Sequence, residues 1–325
     1  MSLILDIQDL TVHFRTTKGT VVAVDQLSMK IKAGETVAVV GESGCGKTTT
    51  ALSILRIIPD PPGRIAGGRI LFEGTDLLDL SDADMRAVRG RQIAMIFQDP
   101  MMSLNPVYTV GEQITEGLRL HLGMAKAKAM KRAVELLATV GIPEPGKRVR
   151  EYPHNLSGGM RQRAMIAMAL ACGPKLLIAD EPTTAVDVTV QAQILDLLRN
   201  LQKRLGMAML LITHDLGVVS EIAERVVVMY AGRKVEEGTV EDVFRSPAHP
   251  YTDGLLASAY LASAEGRFLK EIPGTVPSPF DMPTGCNFAP RCPKVFGKCH
   301  EEAPALESMN SDREVACFAA TELRR

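Results

Sequence analysis

Between residues 36 and 213, short and wholly apolar runs alternate with stretches of helical period, the pattern of a parallel-sheet α/β domain. TVAVV (36–40) reads as a buried strand. A glycine loop follows, then a helix that sets Ala51, Leu52, Leu55 and Ile58 on one face and stops at Pro59, Pro61 and Pro62. Residues 93–97 predict another strand, and 110–140 predict helix with a break at Gly123. LLIAD (176–180) and AMLLIT (208–213) are two further buried strands, and 225–235, split by Gly232, reads as a hairpin. After about Ala264 the texture changes. Seven prolines and four cysteines fall between Gly266 and Arg325 with few periodic runs, which predicts a separate, loop-rich appendage outside the main sheet.

Composition narrows the partners. Lys and Arg total 37 against 38 Asp and Glu, so the basic excess of a nucleic-acid binder is missing and no nucleic acid is expected. Aromatics at 4 % and the absence of Trp argue against a surface of stacked bases or sugars. No run reaches the roughly 18 apolar residues that a membrane helix needs; the most apolar stretch, 164–179, is interrupted by Gly173, Pro174 and Lys175. The start, MSLILDIQDL, carries acids and lacks the basic n-region of a signal peptide. A soluble, intracellular chain is expected, its membrane contact made through a partner.

The glycine loop carries the first chemistry. Gly41-Glu-Ser-Gly44-Cys-Gly46-Lys47-Thr48 matches the phosphate-binding P-loop pattern, between a predicted strand and a predicted helix as the motif requires. Glycines let successive N–H groups point at phosphate oxygens, where a Cβ would intrude. The following helix offers its positive end to the same anion. Lys47 supplies a charge to the β- and γ-phosphates and Thr48 a hydroxyl to Mg²⁺. Two apolar strands end in polar residues, as ligand-contacting strands of open α/β sheets do. Asp180 suits Mg²⁺ coordination, and Glu181, one residue on, can accept a proton from an attacking water; the second strand ends at His214.

Leu156-Ser157-Gly158-Gly159-Met160-Arg161-Gln162-Arg163 completes a series. With the P-loop, Gln98 in IFQDP, Asp180-Glu181-Pro182, Asp187 and His214, the stretch from about Leu3 to Leu261 resembles the ATP-binding cassette of ABC transporters. Ser157 is a good N-cap, and Gly158 and Gly159 leave the start of the next helix bare for a phosphate. The resemblance implies a RecA-like α/β core with an N-terminal antiparallel β subdomain and a helical signature subdomain at about 99–165, which would touch a transmembrane partner. It implies ATP contacts along Gly41, Ser43, Gly44, Cys45, Gly46, Lys47, Thr48 and Thr49, with no separate role for the Cys45 side chain, and adenine stacking by Phe14. It implies Mg²⁺ held by Thr48, Gln98 and Asp180, and catalysis by Glu181, His214, Gln98 and Lys47. Ser157, Gly158, Gly159 and Gln162 would face ATP held by a second cassette, with Asp187 coupling the two sites. The one departure is Val186, where Leu is commoner in the family.

The tail narrows the resemblance. Ser246-Pro-Ala-His249-Pro250-Tyr251-Thr252, Ile272-Pro-Gly-Thr-Val-Pro277, Gly285-Cys286 and Pro290-Arg291-Cys292-Pro293 resemble the C-terminal region of dipeptide and oligopeptide importer ATPases. This implies a 1–263 cassette and a 264–325 extension, a paralogous second ATPase, two transmembrane permease subunits and an extracytoplasmic solute-binding protein. The chain would then sit peripherally on the cytoplasmic face of the cell membrane. The four tail cysteines, Cys286, Cys292, Cys299 and Cys317, follow C-x5-C-x6-C-x17-C, neither the paired spacing of zinc sites nor the tight ferredoxin run. On chemistry alone zinc and an iron–sulfur centre stand equal. The family resemblance points to a [4Fe–4S] cluster, with Zn²⁺ and then free or disulfide-bonded thiols as alternatives. A soluble ABC protein acting on ribosomes or DNA usually carries two cassettes or a long coiled-coil insertion, and neither is seen; a degenerate regulatory module is disfavoured because Lys47, Glu181 and His214 are all in place.

Overall fold

In the computed structural model, which describes residues 2–99, 103–184, 187–262, 272–310 and 312–322, the chain forms two units. One comprises Met1–Ile4, Lys32–Glu35 and Asp79–Leu211; the other comprises Leu5–Ile31, Thr36–Leu78 and Ile212–Arg325. The cassette-to-extension boundary expected at 263/264 lies outside the described residues.

In the unit that includes the N-terminal strands, β1 (Leu3–Thr16), β2 (Gly19–Lys32), β4 (Gly63–Phe72) and β5 (Thr75–Asp76) form a four-stranded sheet in the order β2-β1-β4-β5. β4 runs antiparallel to β1, and β5 to β4. β3 (Thr36–Val40) has all five residues buried, as a strand covered on both faces requires, and pairs in parallel with β9 (Arg225–Tyr230). β9 turns back into β10 (Arg233–Thr239) through Ala231 and Gly232, both at positive φ, the requirement of a two-residue type I′ hairpin. The helix after the glycine loop, α1, covers Lys47–Ile54. It ends earlier than its apolar pattern predicts. Leu55 caps it and Arg56 takes φ 51°, so Ile58 falls beyond the helix.

The other unit carries β6 (Ile93–Ile96), β7 (Leu176–Asp180) and β8 (Ala208–Ile212) in the order β8-β7-β6, with β6 and β7 parallel. Its helices are α2 (Asp82–Val88), α3 (Val110–Leu122), α4 (Lys126–Thr139), α5 (Pro145–Arg148), α6 (Gly158–Leu170) and α7 (Val188–Leu205). The predicted break at Gly123 is real: Thr109 and Glu112 close a capping box at the start of α3, and Gly123 ends it in the left-handed conformation.

The tail departs from the sequence-based expectation. Far from lying outside the sheet, it adds β12 (Arg313–Val315) antiparallel to β10, with Glu236 opposite Val315, and β11 (Glu307–Asn310) beside β12. Arg313 and Glu236, both buried, are ion-paired there, and Glu236 also accepts the backbone N–H groups of Ala248 and His249. Strands of three and four residues are too short to write an alternation into the sequence.

Candidate functional site

The P-loop is shaped by its glycines. Gly41 leaves β3 at φ 150°, and a Cβ there would stand 2.2 Å from the Met229 carbonyl oxygen and 2.8 Å from Cys45 Sγ. Gly46 sits at φ 103°, where a Cβ would meet the Ala23 oxygen at 2.5 Å. Around Gly44 a Cβ would find open space, and Ser43, Gly44 and Thr48 are exposed. The loop is thus tight against its own unit and open on its outer side. Gly46 is the N-cap of α1 and offers no side-chain cap, so the first-turn N–H groups are left to an anion. Lys47 is buried, and its ammonium donates to the Gly41 oxygen at 2.7 Å and the Glu42 oxygen at 3.0 Å. Burial pushes the Cys45 thiol up, outweighing Lys47 beside it.

In the same unit Phe14 lies on β1 opposite Gly63, half-buried and outside the buried core. His214 is exposed just past β8, and Asp215 caps α8 (Leu216–Ile222) by accepting the Gly217 and Val218 N–H groups.

The second unit brings three other predicted residues into order. Asp180 ends β7 as a buried carboxylate. Glu181 follows at φ 46°, a left-handed conformation rare for a side-chain-bearing residue and concentrated at functional sites. Its Oε2 accepts hydrogen bonds from Gln98 Nε2 at 3.0 Å and Thr184 Oγ1 at 2.9 Å. The carboxylate is therefore aimed by two neutral donors. Thr184 is a partner that the sequence pattern had not singled out; its place three residues after Glu181 is the only sequence signal for it.

The signature turn stands as its capping chemistry predicts. Ser157 accepts from the Met160 N–H at 3.3 Å and starts α6, while Gly158 is exposed with nothing near a would-be Cβ. A Cβ on Gly159 would come 3.1 Å from Val190 Cγ1, so glycine there lets α7 approach the turn. α7 is itself capped by Asp187, which accepts the Val190 N–H at 2.9 Å. Gln162 is buried and donates to the Pro182 oxygen, which ties α6 to the segment after Glu181. Ala185 and Val186 lie outside the described residues.

In the tail, Cys286, Cys292, Cys299 and Cys317 all line one small cavity whose other walls include Phe288, Ala289, Pro250 and Phe318. Burial raises the thiols of Cys286, Cys292 and Cys317, Cys292 up to about 11, and neighbouring tail cysteines add to each rise. Among the described residues no three Cys, His, Asp or Glu side chains stand close enough together to hold a metal ion. The donor chemistry suits a thiophilic metal, but the ligand set expected for a [4Fe–4S] cluster or Zn²⁺ is not assembled among the described residues.

His249, at the edge of this cavity, is buried, accepts the Tyr251 N–H on Nδ1 at 3.0 Å and is held down to about pKa 3 by desolvation. The unfolded chain protonates this imidazole near pH 6.5 while the folded chain does not. Its contribution to stability is complete above pH 6.5 and is lost as pH falls towards 3, at up to about 1.4 kcal/mol per pH unit. Urea melts of the wild type and of His249→Gln between pH 7.5 and 4.5 should converge on the acid side. Parallel curves would mean that His249 is charged or solvated in the folded chain.

Comparison with known proteins fits this geometry. Residues 24–184 match the ABC transporter family, and 235–299 match the oligopeptide/dipeptide transporter C-terminal region. The chain is 52 % identical to the oligopeptide transport ATP-binding protein AppD of Bacillus subtilis over 98 % of its own length and 97 % of the relative's. It is 53 % identical to the dipeptide transport ATP-binding protein DppD of Haemophilus influenzae, over 97 % and 94 %. Among solved structures it is similar to the dimeric ABC transporter cassette MJ0796, with a TM-score of 0.66 at 28 % identity over 73 % of this chain and 99 % of that one. With half of its sequence shared with such relatives along nearly their whole length, the chain belongs to the ATP-binding subunits of peptide-importing ABC transporters, where it binds ATP with Mg²⁺ and powers import by hydrolysing it.

Proposed function

We propose that Glu181 is the general base of this hydrolysis, and the observation that carries the reading is its carboxylate held by Gln98 and Thr184 in a left-handed backbone conformation. Glu181 takes a proton from water as the water oxygen attacks the γ-phosphorus; the bond to the β,γ-bridging oxygen breaks and ADP leaves with the electron pair. Lys47 and the amides of Gly41, Ser43, Gly44, Cys45, Gly46, Thr48 and Thr49 hold the phosphates, His214 steadies the γ-phosphoryl oxygens, and Phe14 stacks on the adenine. Thr48, Gln98 and Asp180 offer hard oxygens that would hold Mg²⁺, which would supply positive charge against the phosphates. Ser157, Gly158, Gly159 and Gln162 present their helix start to ATP on a second cassette, and Asp187 couples the two sites.

That second cassette is a paralogous ATPase, and the pair docks through the helical region at about 99–165 on two permease subunits fed by an extracytoplasmic solute-binding protein. The chain is then peripheral to the cytoplasmic face of the membrane; among the described residues no helix is long and apolar enough to cross one. Affinity purification from native membranes should recover two permeases and a second ATPase, and recovery of the chain with ribosomes or DNA would overturn the assignment.

The four tail thiols would hold a structural [4Fe–4S] cluster, whose insertion would have to draw them together from where they stand here. Support comes from their shared apolar cavity and from the mutual electrostatic penalty on their ionisation, which a cationic metal centre relieves. Anaerobically purified protein should be brown and contain iron and acid-labile sulfide, both lost in Cys292→Ser. One zinc per chain without iron or sulfide would replace the cluster by Zn²⁺.

A further inference from the structure

Glu42, the second residue of the P-loop, is held by side chains more than two hundred positions away. Arg291, on the short 3₁₀ turn Ala289–Arg291 between Cys286 and Cys292, has a side chain only 4 % exposed. Its two terminal nitrogens grip the Glu42 carboxylate, Nη1 to Oε2 at 2.8 Å and Nη2 to Oε1 at 3.0 Å. The guanidinium is fixed in turn: Nε donates to the Pro273 oxygen at 2.9 Å, Nη2 also to the Ile272 oxygen, and Nη1 also to the Tyr230 hydroxyl. The Glu42 backbone N–H donates to the Tyr251 hydroxyl at 2.8 Å. Tyr251 is fully buried against Tyr230 and Phe288, with ring centroids at 4.6 and 5.4 Å. The Glu42 carbonyl oxygen, finally, accepts from Lys47 Nζ.

A carboxylate in a phosphate-binding loop works against its ligand, because it repels an incoming triphosphate. A bidentate arginine cancels that charge and also fixes the direction of the loop. A bond that merely anchored the tail would serve as well on any surface residue; this one ends on the residue whose carbonyl receives the phosphate-binding lysine. We propose that Arg291 is a positioning residue of the nucleotide site, neutralising and orienting Glu42 so that the Lys47 ammonium and the loop amides stand ready for the phosphates. The inference rests on the P-loop being the ATP site and adds to it a residue supplied by the tail.

The test is a double-mutant cycle on the full-length chain, read as affinity for a fluorescent ATP analogue with Mg²⁺ and as the thermal midpoint. Arg291→Gln should weaken binding by about tenfold, and Arg291→Lys, which keeps the charge but not the fork, by a few-fold. In a Glu42→Gln background, where there is no carboxylate to neutralise, Arg291→Gln should cost less than about twofold. Unchanged affinity in Arg291→Gln, or an equal loss in both backgrounds, would falsify the positioning role and leave a tail anchor. If Arg291→Gln does not fold, Arg291→Lys in the two backgrounds decides in the same way. Wild-type protein that failed to bind the analogue would instead overturn the P-loop assignment itself.

Discussion

Glu181→Gln should hold MgATP with nearly unchanged affinity while its steady-state hydrolysis falls by about a hundredfold to ten-thousandfold, the range that a general base contributes. Glutamine has the volume of glutamate, and its amide oxygen can still accept from Gln98 Nε2 and Thr184 Oγ1, so the local geometry survives. The proton acceptor does not. A cassette that binds and cannot hydrolyse should accumulate in its nucleotide-bound, paired state, visible as a larger species in size-exclusion chromatography with ATP and not with ADP. The left-handed backbone of Glu181 makes the substitution cleaner, because glutamine meets the same steric restriction as glutamate and adds no new strain. Hydrolysis at the wild-type rate, measured with the permeases and partner ATPase present, would remove Glu181 from the role of base.

Much of this arrangement is written locally. Apart from Thr36 at the start of β3 and Asp180 at the end of β7, β3, β7 and β8 are apolar runs in the sequence and fully buried strands in the fold, because a strand covered on both faces has almost no polar position to display. The P-loop and the Ser157 cap are equally legible, since glycine and N-cap residues act through their immediate backbone. What stays hidden is carried by contacts between distant segments. Nothing near Arg291 in the chain announces Glu42, 249 positions away, and nothing near Glu236 announces Arg313. The tail strands show the same limit: β12 exists because β10 offers it an edge, and three residues cannot encode that partner. The end of α1 is the opposite case, a pattern that read too long. Leu55 and Ile58 share the helical spacing, yet the turn at Arg56 removes Ile58 from the helix and leaves it half-buried, so the apolar period ran on past the helix end.

Lys47→Ala should act one step earlier than Glu181→Gln, on the binding of nucleotide. A charge-assisted hydrogen bond contributes about 1.5–3 kcal/mol, so its removal should weaken MgATP binding by about ten- to a hundredfold. The free chain adds a second consequence. Lys47 Nζ bridges the carbonyl oxygens of Gly41 and Glu42, and without it the loop loses the bonds that hold its curl while the phosphates are away. Alanine should therefore lower both affinity and the thermal midpoint of the nucleotide-free chain. Lys47→Arg should restore the charge and only part of the affinity, because a branched guanidinium does not fit where a single ammonium lies buried between two carbonyls. Calorimetric titration separates the two carboxylate and lysine variants without any turnover assay. Glu181→Gln titrates like wild type and Lys47→Ala does not; if both titrate like wild type, the lysine contributes to the fold of the loop and not to the grip on the phosphates.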